Sequence, residues 1–446
     1  MRSIKVVLSN ERIVPNSGLY LVNKILSKSN LIKMINNVKS GKRSQKYISN
    51  GDIIKLCIAL LSLGKVDFDC INEFSDDPEY LKYAMELDCN VLPSETTFRS
   101  RLDEIGSKLN KIILAGNIDM LIKNGIEPST LSCGCAPVDI DVSPMDNSKS
   151  NKEGVSRTYK GFDGYAPIIA YIGTEGFILN IELRKGSQHC QKGTPEMLAE
   201  SIEAAKKLTK KPLLFRFDSG NDAVDNMALL HWNDPQLKFL IKRNPRGEDM
   251  ELFAEEMKAV CKNIKNPREG KKVYIGTTYR TLNDDKIGDF TVRMVYEITE
   301  RTTDKNGQLF LMPQIEVNTY WTSLGVSDEE VIELYHNHAV CEQYHSELKT
   351  DMNVERLPSG KFDTNSLILT LAMIAFNINR IIGVEIMKEK DAPVRHSTVK
   401  RRKVRTIIDN ILTIAGHFTE HARKFKLSLG RSNGWRNTFL RLCSTF

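Results

Sequence analysis

The stretch "YHNHAVCEQYHSELK", Tyr335 to Lys349, concentrates reactive side chains: three of the chain's eight histidines, a cysteine and two glutamates. Set on a helix, Tyr335, His338, Glu342 and Lys349 are separated by 3, 4 and 7 residues. Such steps hold side chains on one helical face, so a phenol, an imidazole, a carboxylate and an ammonium share a stripe. Polar stripes usually mark a solvated face, yet Val331, Leu334 and Leu348 of the same segment need a core. His338, Cys341 and His345, at steps of 3 and 4, raise the possibility of zinc. A structural zinc site needs four ligands, and no spaced Cys or His pair elsewhere supplies the rest, so zinc is the weaker reading.

Two places offer acids to join Glu342. Asp139 and Asp141 stand two apart in the strand-like "PVDIDVS" and so face the same way. Asp218 ends the apolar run "PLLFRFDSG". In open α/β sheets, ligands collect at the carboxyl ends of strands. Converging carboxylates repel unless a cation holds them, and hard oxygen ligands suit Mg²⁺ or Mn²⁺. Two such ions, about 4 Å apart, can activate a water or a 3′-OH and stabilise the leaving oxygen of a phosphodiester. Taken singly, each Asp is better explained as a strand-end or turn residue. Three acids on strand 1, strand 4 and a late helix are what favour metal-dependent chemistry.

Hydrophobic patterning supplies the scaffold for these residues. From Pro137 the order is three strands ("PVDIDVS", "YAPIIAYIG", "GFILNIELRKG"), a helix ("GTPEMLAESIEAAKKL"), a strand ending in Asp218, a helix ("NDAVDNMALLHW") and a strand ("LKFLIKR"). That is a mixed α/β sheet. Residues 247–325 read as an inserted β-rich piece, with "KKVYIGTTYRTL", "FTVRMVYEITE" and "IEVNTYWTSL" as antiparallel strands and "DKNGQ" as a turn. A long helix then starts at Ser327, with Glu330 completing a capping box. Residues 1 to about 130 look helical. "PSETTFRSRLDEIG" opens with a helix-start signal and carries Arg99 and Arg101, a helix-turn-helix-like layout.

A chain of 446 residues, 41% hydrophobic and 27% charged, reads as a multidomain globular protein. The start "MRSIKVVLSN" is too short and polar for a signal peptide. "LILTLAMIAFNIN" falls short of a membrane span and reads as a buried helix. Nine scattered cysteines without a paired framework fit reduced thiols in a cytoplasm. The net charge of +7 is modest, but basic residues gather near the C-terminus, in "KRRKVR" (Lys400 to Arg405) and at Arg395, Arg423, Lys424, Arg431 and Arg436. Such a tail suits a polyanion or a solvated surface about equally.

These residues together resemble the DDE transposases of bacterial insertion sequences, which have a ribonuclease-H-like catalytic core. "FRFDSGND" resembles the second-Asp motif and gives Asp218. "DIDVSPMDNS" resembles the first, where an Asp followed within two residues by Ser favours Asp141 over Asp139. Tyr335, Glu342 and Lys349 match the signature Tyr-x2-Arg-x3-Glu-x6-Lys, with His338 standing where the family has Arg. Glu347 is the runner-up acid, out of spacing.

The resemblance implies a division into a helical part that binds DNA ends (1–130), a core (131–246 and 326–385), the insertion (247–325) and a basic helical C-terminal region (386–446). It also implies an enzyme that binds the terminal inverted repeats of its element, cleaves the ends and joins the 3′-OH to target DNA, acting as a homodimer or larger synaptic complex. Asp141, Asp218 and Glu342 would hold two Mg²⁺ ions, with Mn²⁺ able to substitute. Tyr335, His338, Lys349, Arg157 and Lys160 would contact DNA. Lys149, Lys152 and Arg216 are further candidates for phosphate or carboxylate contact, and Trp321 for base stacking or core packing. Asn365, Asn377 and Arg380 read as core supports. The competing functions are a DNA-binding relative without catalysis and a metal-dependent nuclease.

Overall fold

In the computed structural model, which describes residues 4–8, 10–38, 48–232, 234–393, 401–422 and 424–446, the chain forms two units. One comprises residues 127–144 and 156–345, the other residues 1–126, 145–155 and 346–446. Arg395, Lys400 and Arg423 of the basic tail lie outside the described residues.

The first unit is built on nine strands: β1 (Ala136–Val142), β2 (Ile168–Ile172), β3 (Phe177–Glu182), β4 (Leu213–Phe217), β5 (Leu237–Lys242), β6 (Asn263–Arg268), β7 (Lys271–Asp284), β8 (Gly288–Thr303) and β9 (Leu309–Thr322). They lie in the order β6-β7-β8-β9-β5-β4-β1-β2-β3. The pairs β1/β4 and β4/β5 are parallel and the rest antiparallel. Helices α1 (Thr194–Leu208) and α2 (Val224–Trp232) make the crossovers that parallel pairing requires. Strands β1, β2 and β4 are almost continuously buried, as strands covered on both faces should be.

The β-rich insertion extends this same sheet through β9 on β5. It opens with a helix that the strand reading left out, α3 (Met250–Val260), capped by the Asp249 carboxylate on the Glu251 and Leu252 amides. It ends the sheet in β6, also unread in sequence. "NIKNPR" shows no apolar alternation because it is a solvent-facing edge strand, where Pro267 is tolerated.

Two helices close the unit, α4 (Asp328–His336) and α5 (Val340–Ser346). The continuous helix expected from Ser327 is broken between them by a 3₁₀ turn at Asn337–Ala339, and a π turn follows at Glu347–Asp351. Ser327 caps α4 on the Glu330 amide, but the Glu330 carboxylate accepts from Ser132 instead of completing the box. Leu334 and Val331 of α4 bury against Leu214, Leu240 and Tyr320 of the sheet.

The second unit centres on α6 (Phe362–Met387), 26 residues long. It is apolar enough to cross a membrane, yet 94% of its apolar window is buried inside the protein. Around it stand helices Asn50–Ser62, Glu95–Ile105, Asn110–Lys123 and Arg436–Thr445. The "PSETTFRSRLDEIG" helix starts on its Ser94 cap as expected and ends at Gly106, φ +50°. Arg101 donates to the Ile48 carbonyl and Asn50, and Arg99 lies over the Phe68 ring, so both work inside the unit.

The C-terminal region is not all helical. Gly416–His421 and Lys424–Leu429 form a hairpin edged by Ile13–Val14. The alternation of Phe425, Leu427 and Leu429 with lysines and serine carries that signal, which the basic composition concealed.

Several polar groups on α6 are paired. The Asn377 amide donates to Asn117 at 2.8 Å, and Asn365 exchanges hydrogen bonds with the Ser359 backbone. Glu347 is buried among Arg380, at 3.1 Å, Arg401 and the Val404 amide. Removing one partner of a buried ion pair costs roughly 3–5 kcal/mol, because the remaining charge is left without compensation. Glu347→Ala is therefore expected to lower unfolding free energy by about that amount in denaturant titration. A loss within experimental error would mean that this acid does not anchor the helical frame.

Candidate active site

The site is built on two rows of residues across the central strands. In the first row, pairing sets Asp139 of β1 between Tyr171 of β2 and Arg216 of β4. Arg216 Nε and Nη2 donate to the two Asp139 oxygens at 2.6 and 2.8 Å, and Nη1 donates to the Leu334 carbonyl of α4 at 2.7 Å. His338 Nδ1 lies 2.9 Å from Asp139 Oδ1. Both charged side chains are almost wholly buried, at 2% and 3% exposure. Burial alone would push the Asp139 carboxyl up, but Arg216 and His338 more than reverse this and hold it at about 2. A bidentate guanidinium–carboxylate pair is strong and geometrically strict. It ties α4 and the turn after it to the sheet.

The second row lies one pleat further on. Ile140 and Phe217 are the last paired residues of β1 and β4, so Asp141 and Asp218 come next, side by side, at the carboxyl ends of two parallel strands. Their surroundings differ. Asp141 Oδ2 is 3.2 Å from His345 Nε2, and Oδ1 accepts from the Val142 amide. Burial raises its carboxyl, and His345 more than offsets that, leaving it below the ordinary range. Asp218 accepts from the Gly220 amide at 3.0 Å and has no ion-pair partner among the described residues. Burial first, then the charge of Asp141, raises its carboxyl above the ordinary range.

Helices α4 and α5 bring the remaining groups. The Tyr335 ring sits 4.8 Å from that of Tyr320, and burial followed by the Asp218 charge pushes its phenol up. His345 is held from behind by the Tyr171 hydroxyl, 3.1 Å from Nδ1. Tyr344 donates to the Thr174 carbonyl at 2.7 Å and lies flat on Gly176, where a Cβ would approach the ring to 2.4 Å. Glu342 stands one turn before His345, is exposed, and has no hydrogen bond or ion pair among the described residues.

Other sequence candidates fall elsewhere. Lys160 is exposed, and Arg157 is exposed with Asp163 at 3.9 Å. Lys349 is half-buried in the π turn of the helical unit. Lys152 donates to Asn147 and the Leu357 carbonyl within that unit. Trp321 is buried and donates to Asp222 at 3.1 Å, with Arg243 over its ring. In this arrangement it packs within the unit. His338, expected to grip phosphate, is buried with Nδ1 on Asp139.

One neighbour of the acids was missed. Tyr159, between Arg157 and Lys160, leaves most of its surface exposed but turns its hydroxyl inward to the Val142 carbonyl at 3.4 Å, where burial, then the charges of Asp141 and Asp218, push the phenol up to about 12. An aromatic interleaved with basic residues beside the first strand was the available signal.

The carboxylate pair fits a divalent cation, since Asp141 and Asp218 meet without a compensating positive charge on Asp218. The Glu342 carboxylate is not gathered with them: among the described residues, the ligand atoms that come within 4.8 Å of one another are those of Asp141, Cys341 and His345. Because the folded state raises the Asp218 carboxyl, it binds that proton more tightly than the unfolded chain does. Stability from this group is present at low pH and lost as pH rises through the raised value. Asp218→Asn should therefore raise the melting temperature at pH 7, with the gain shrinking as pH falls toward the carboxylate range. Mg²⁺ should stabilise the wild type and not the variant. Thermal unfolding across pH checks both, and a lower melting temperature for the variant at pH 7 would contradict the uncompensated charge.

No curated protein matches the chain. Among solved structures it is similar to a piggyBac transposase synaptic complex with hairpin DNA, with 10% identity, a TM-score of 0.41, and coverage of 89% of this chain and 78% of that one. The family described as transposase DDE domain, group 1, matches residues 1–446, end to end. The chain is a member of that transposase family.

Proposed function

We propose that the protein is an insertion-sequence transposase that binds the terminal inverted repeats of its own element, cleaves its ends and joins the freed 3′-OH to target DNA. The observation that carries this reading is the pairing of Asp141 with Asp218 at the carboxyl ends of adjacent parallel strands, with Asp218 uncompensated.

Asp141, Asp218 and Glu342 are the residues that would hold two Mg²⁺ ions, with Mn²⁺ able to substitute. Bound there, the ions would supply the charge that activates a water or 3′-OH and stabilises the leaving oxygen. The chain's own residues do the rest. Arg216 and His338 hold Asp139, and through it the turn before α5, so that Glu342 is presented from a fixed helix. Tyr335, with its phenol kept protonated by its surroundings, can donate to a phosphate oxygen. Arg157, Lys160 and Lys349 are cationic and reach solvent, as phosphate contacts must. Catalysis by positioned acids and hydrolysis requires no covalent enzyme intermediate. Pairing of two element ends calls for at least two copies of the chain.

The test is cleavage of a DNA fragment carrying the gene's flanking ends, in Mg²⁺. Glu342→Gln should lower strand cleavage by at least about 10³-fold while leaving the shift of the end fragment intact. A wild type that shifts the ends specifically and never cleaves them would indicate a DNA-binding relative without catalysis. Cleavage retained by Glu342→Gln would remove that residue from the chemistry.

A further inference from the structure

Two side chains, His345 and Cys341, converge behind Asp141. His345 Nε2 lies 3.2 Å from Asp141 Oδ2 and 3.6 Å from Cys341 Sγ. All three potential ligand atoms lie within 4.8 Å of one another. A ring nitrogen carries either one proton or one lone pair, so Nε2 can satisfy only one of its two neighbours. A cation among the three would satisfy all of them.

The spacing suits a particular ion. With Zn–S of about 2.3 Å and Zn–N or Zn–O of about 2.05 Å, tetrahedral geometry puts sulfur and nitrogen roughly 3.6 Å apart and nitrogen and oxygen roughly 3.3 Å apart. The two measured edges are 3.6 and 3.2 Å. The Tyr171 hydroxyl at Nδ1 supplies the support behind the ring that metal-ligating histidines need. Cys341 and His345 are buried, while the Asp141 side chain is 24% exposed, so the open side of the cluster faces the carboxylate pair.

We infer that Asp141, Cys341 and His345 form a three-ligand site for a soft divalent cation such as Zn²⁺, with its fourth position open, and that an ion held there withdraws Asp141 from the carboxylate pair. The first half stands on the cluster alone; the second rests on the catalytic role proposed for Asp141. Binding forms the metal–sulfur bond and releases the Cys341 proton to solvent. Soft and hard cations thus compete for one carboxylate, sulfur and imidazole favouring the former and an all-oxygen set the latter.

The experiment uses the full chain, stripped with chelator and titrated with Co²⁺ as a spectroscopic stand-in, then with Zn²⁺ against a chromophoric chelator. One equivalent of Co²⁺ should give a thiolate charge-transfer band, lost in Cys341→Ser and kept in the Cys133→Ser, Cys135→Ser double variant. Zn²⁺ affinity should fall at least about 100-fold in Cys341→Ser. It should fall similarly in Asp141→Asn, whose partly exposed position makes it the safer variant for folding. No band in the wild type, or a band that survives Cys341→Ser, overturns the site. For the second half, stoichiometric Zn²⁺ should suppress Mg²⁺-dependent end cleavage by the wild type, and Cys341→Ser should cleave and resist it. Cleavage insensitive to bound Zn²⁺ overturns the competition. An intact band with no Mg²⁺-dependent cleavage at all counts against the transposition reading and against the competition built on it, and supports the binding site.

Discussion

The buried knot of Arg216, Asp139 and His338 sets the geometry of the whole candidate site. An isolated charge in a protein interior is very costly. The knot is tolerated only because a strand, its parallel neighbour and the turn after α4 deliver matched groups to one point. A shift of any of the three elements would strand a buried charge. The register of β1 on β4 and the docking of α4 are therefore mutually enforcing, through a pairing and a carbonyl bond that demand the same geometry.

That fixed point produces a contrast between two neighbouring rows. In the first row every charge is answered: Asp139 by Arg216 and His338. One pleat on, toward the strand ends, Asp141 and Asp218 lie side by side, and the histidine that answers Asp141, His345, is buried behind it. The helical unit repeats the first pattern with Glu347, Arg380 and Arg401. Asp139 and Glu347 are thus compensated by arginines, whereas Asp218 has no ion-pair partner among the described residues, at the place where strand ends gather ligands. Stability left unoptimised at one site amid well-paired neighbours is the usual mark of function.

Much of this was legible in the sequence. Alternation and glycine punctuation gave the strand and helix order from Pro137 to Lys242, and spacing on a helix singled out Tyr335, His338 and Glu342. Local pattern does not report which partner a charge will find. Asp139 and Asp141 look equivalent along a strand; only the parallel neighbour, far away in sequence, distinguishes the acid that is tied to an arginine from the one that is not. For the same reason Glu347 and Arg401 looked like a stray acid and part of a basic tail. The breaks at Asn337–Ala339 and Glu347–Asp351 have no proline or glycine to announce them, so a helical period runs through them unaltered. Strand β6 escaped because an exposed edge need not alternate.

The histidine at position 338 is the departure from the transposase signature, and the structure gives it a physical reason. Arginine there would bring a second guanidinium to a carboxylate that already holds Arg216 by both oxygens. Glu347 accommodates two guanidiniums, but the second, Arg401, keeps 18% of its side chain exposed, whereas the His338 side chain keeps 10%, so a second permanent cation there would be more deeply desolvated. An imidazole supplies a hydrogen bond from Nδ1 without an obligatory charge. Arg216 and His338 are therefore consistent as a pair, the arginine providing the charge and the histidine the reach to the turn. Residues 216 and 338 are matched to one another through the carboxylate they share.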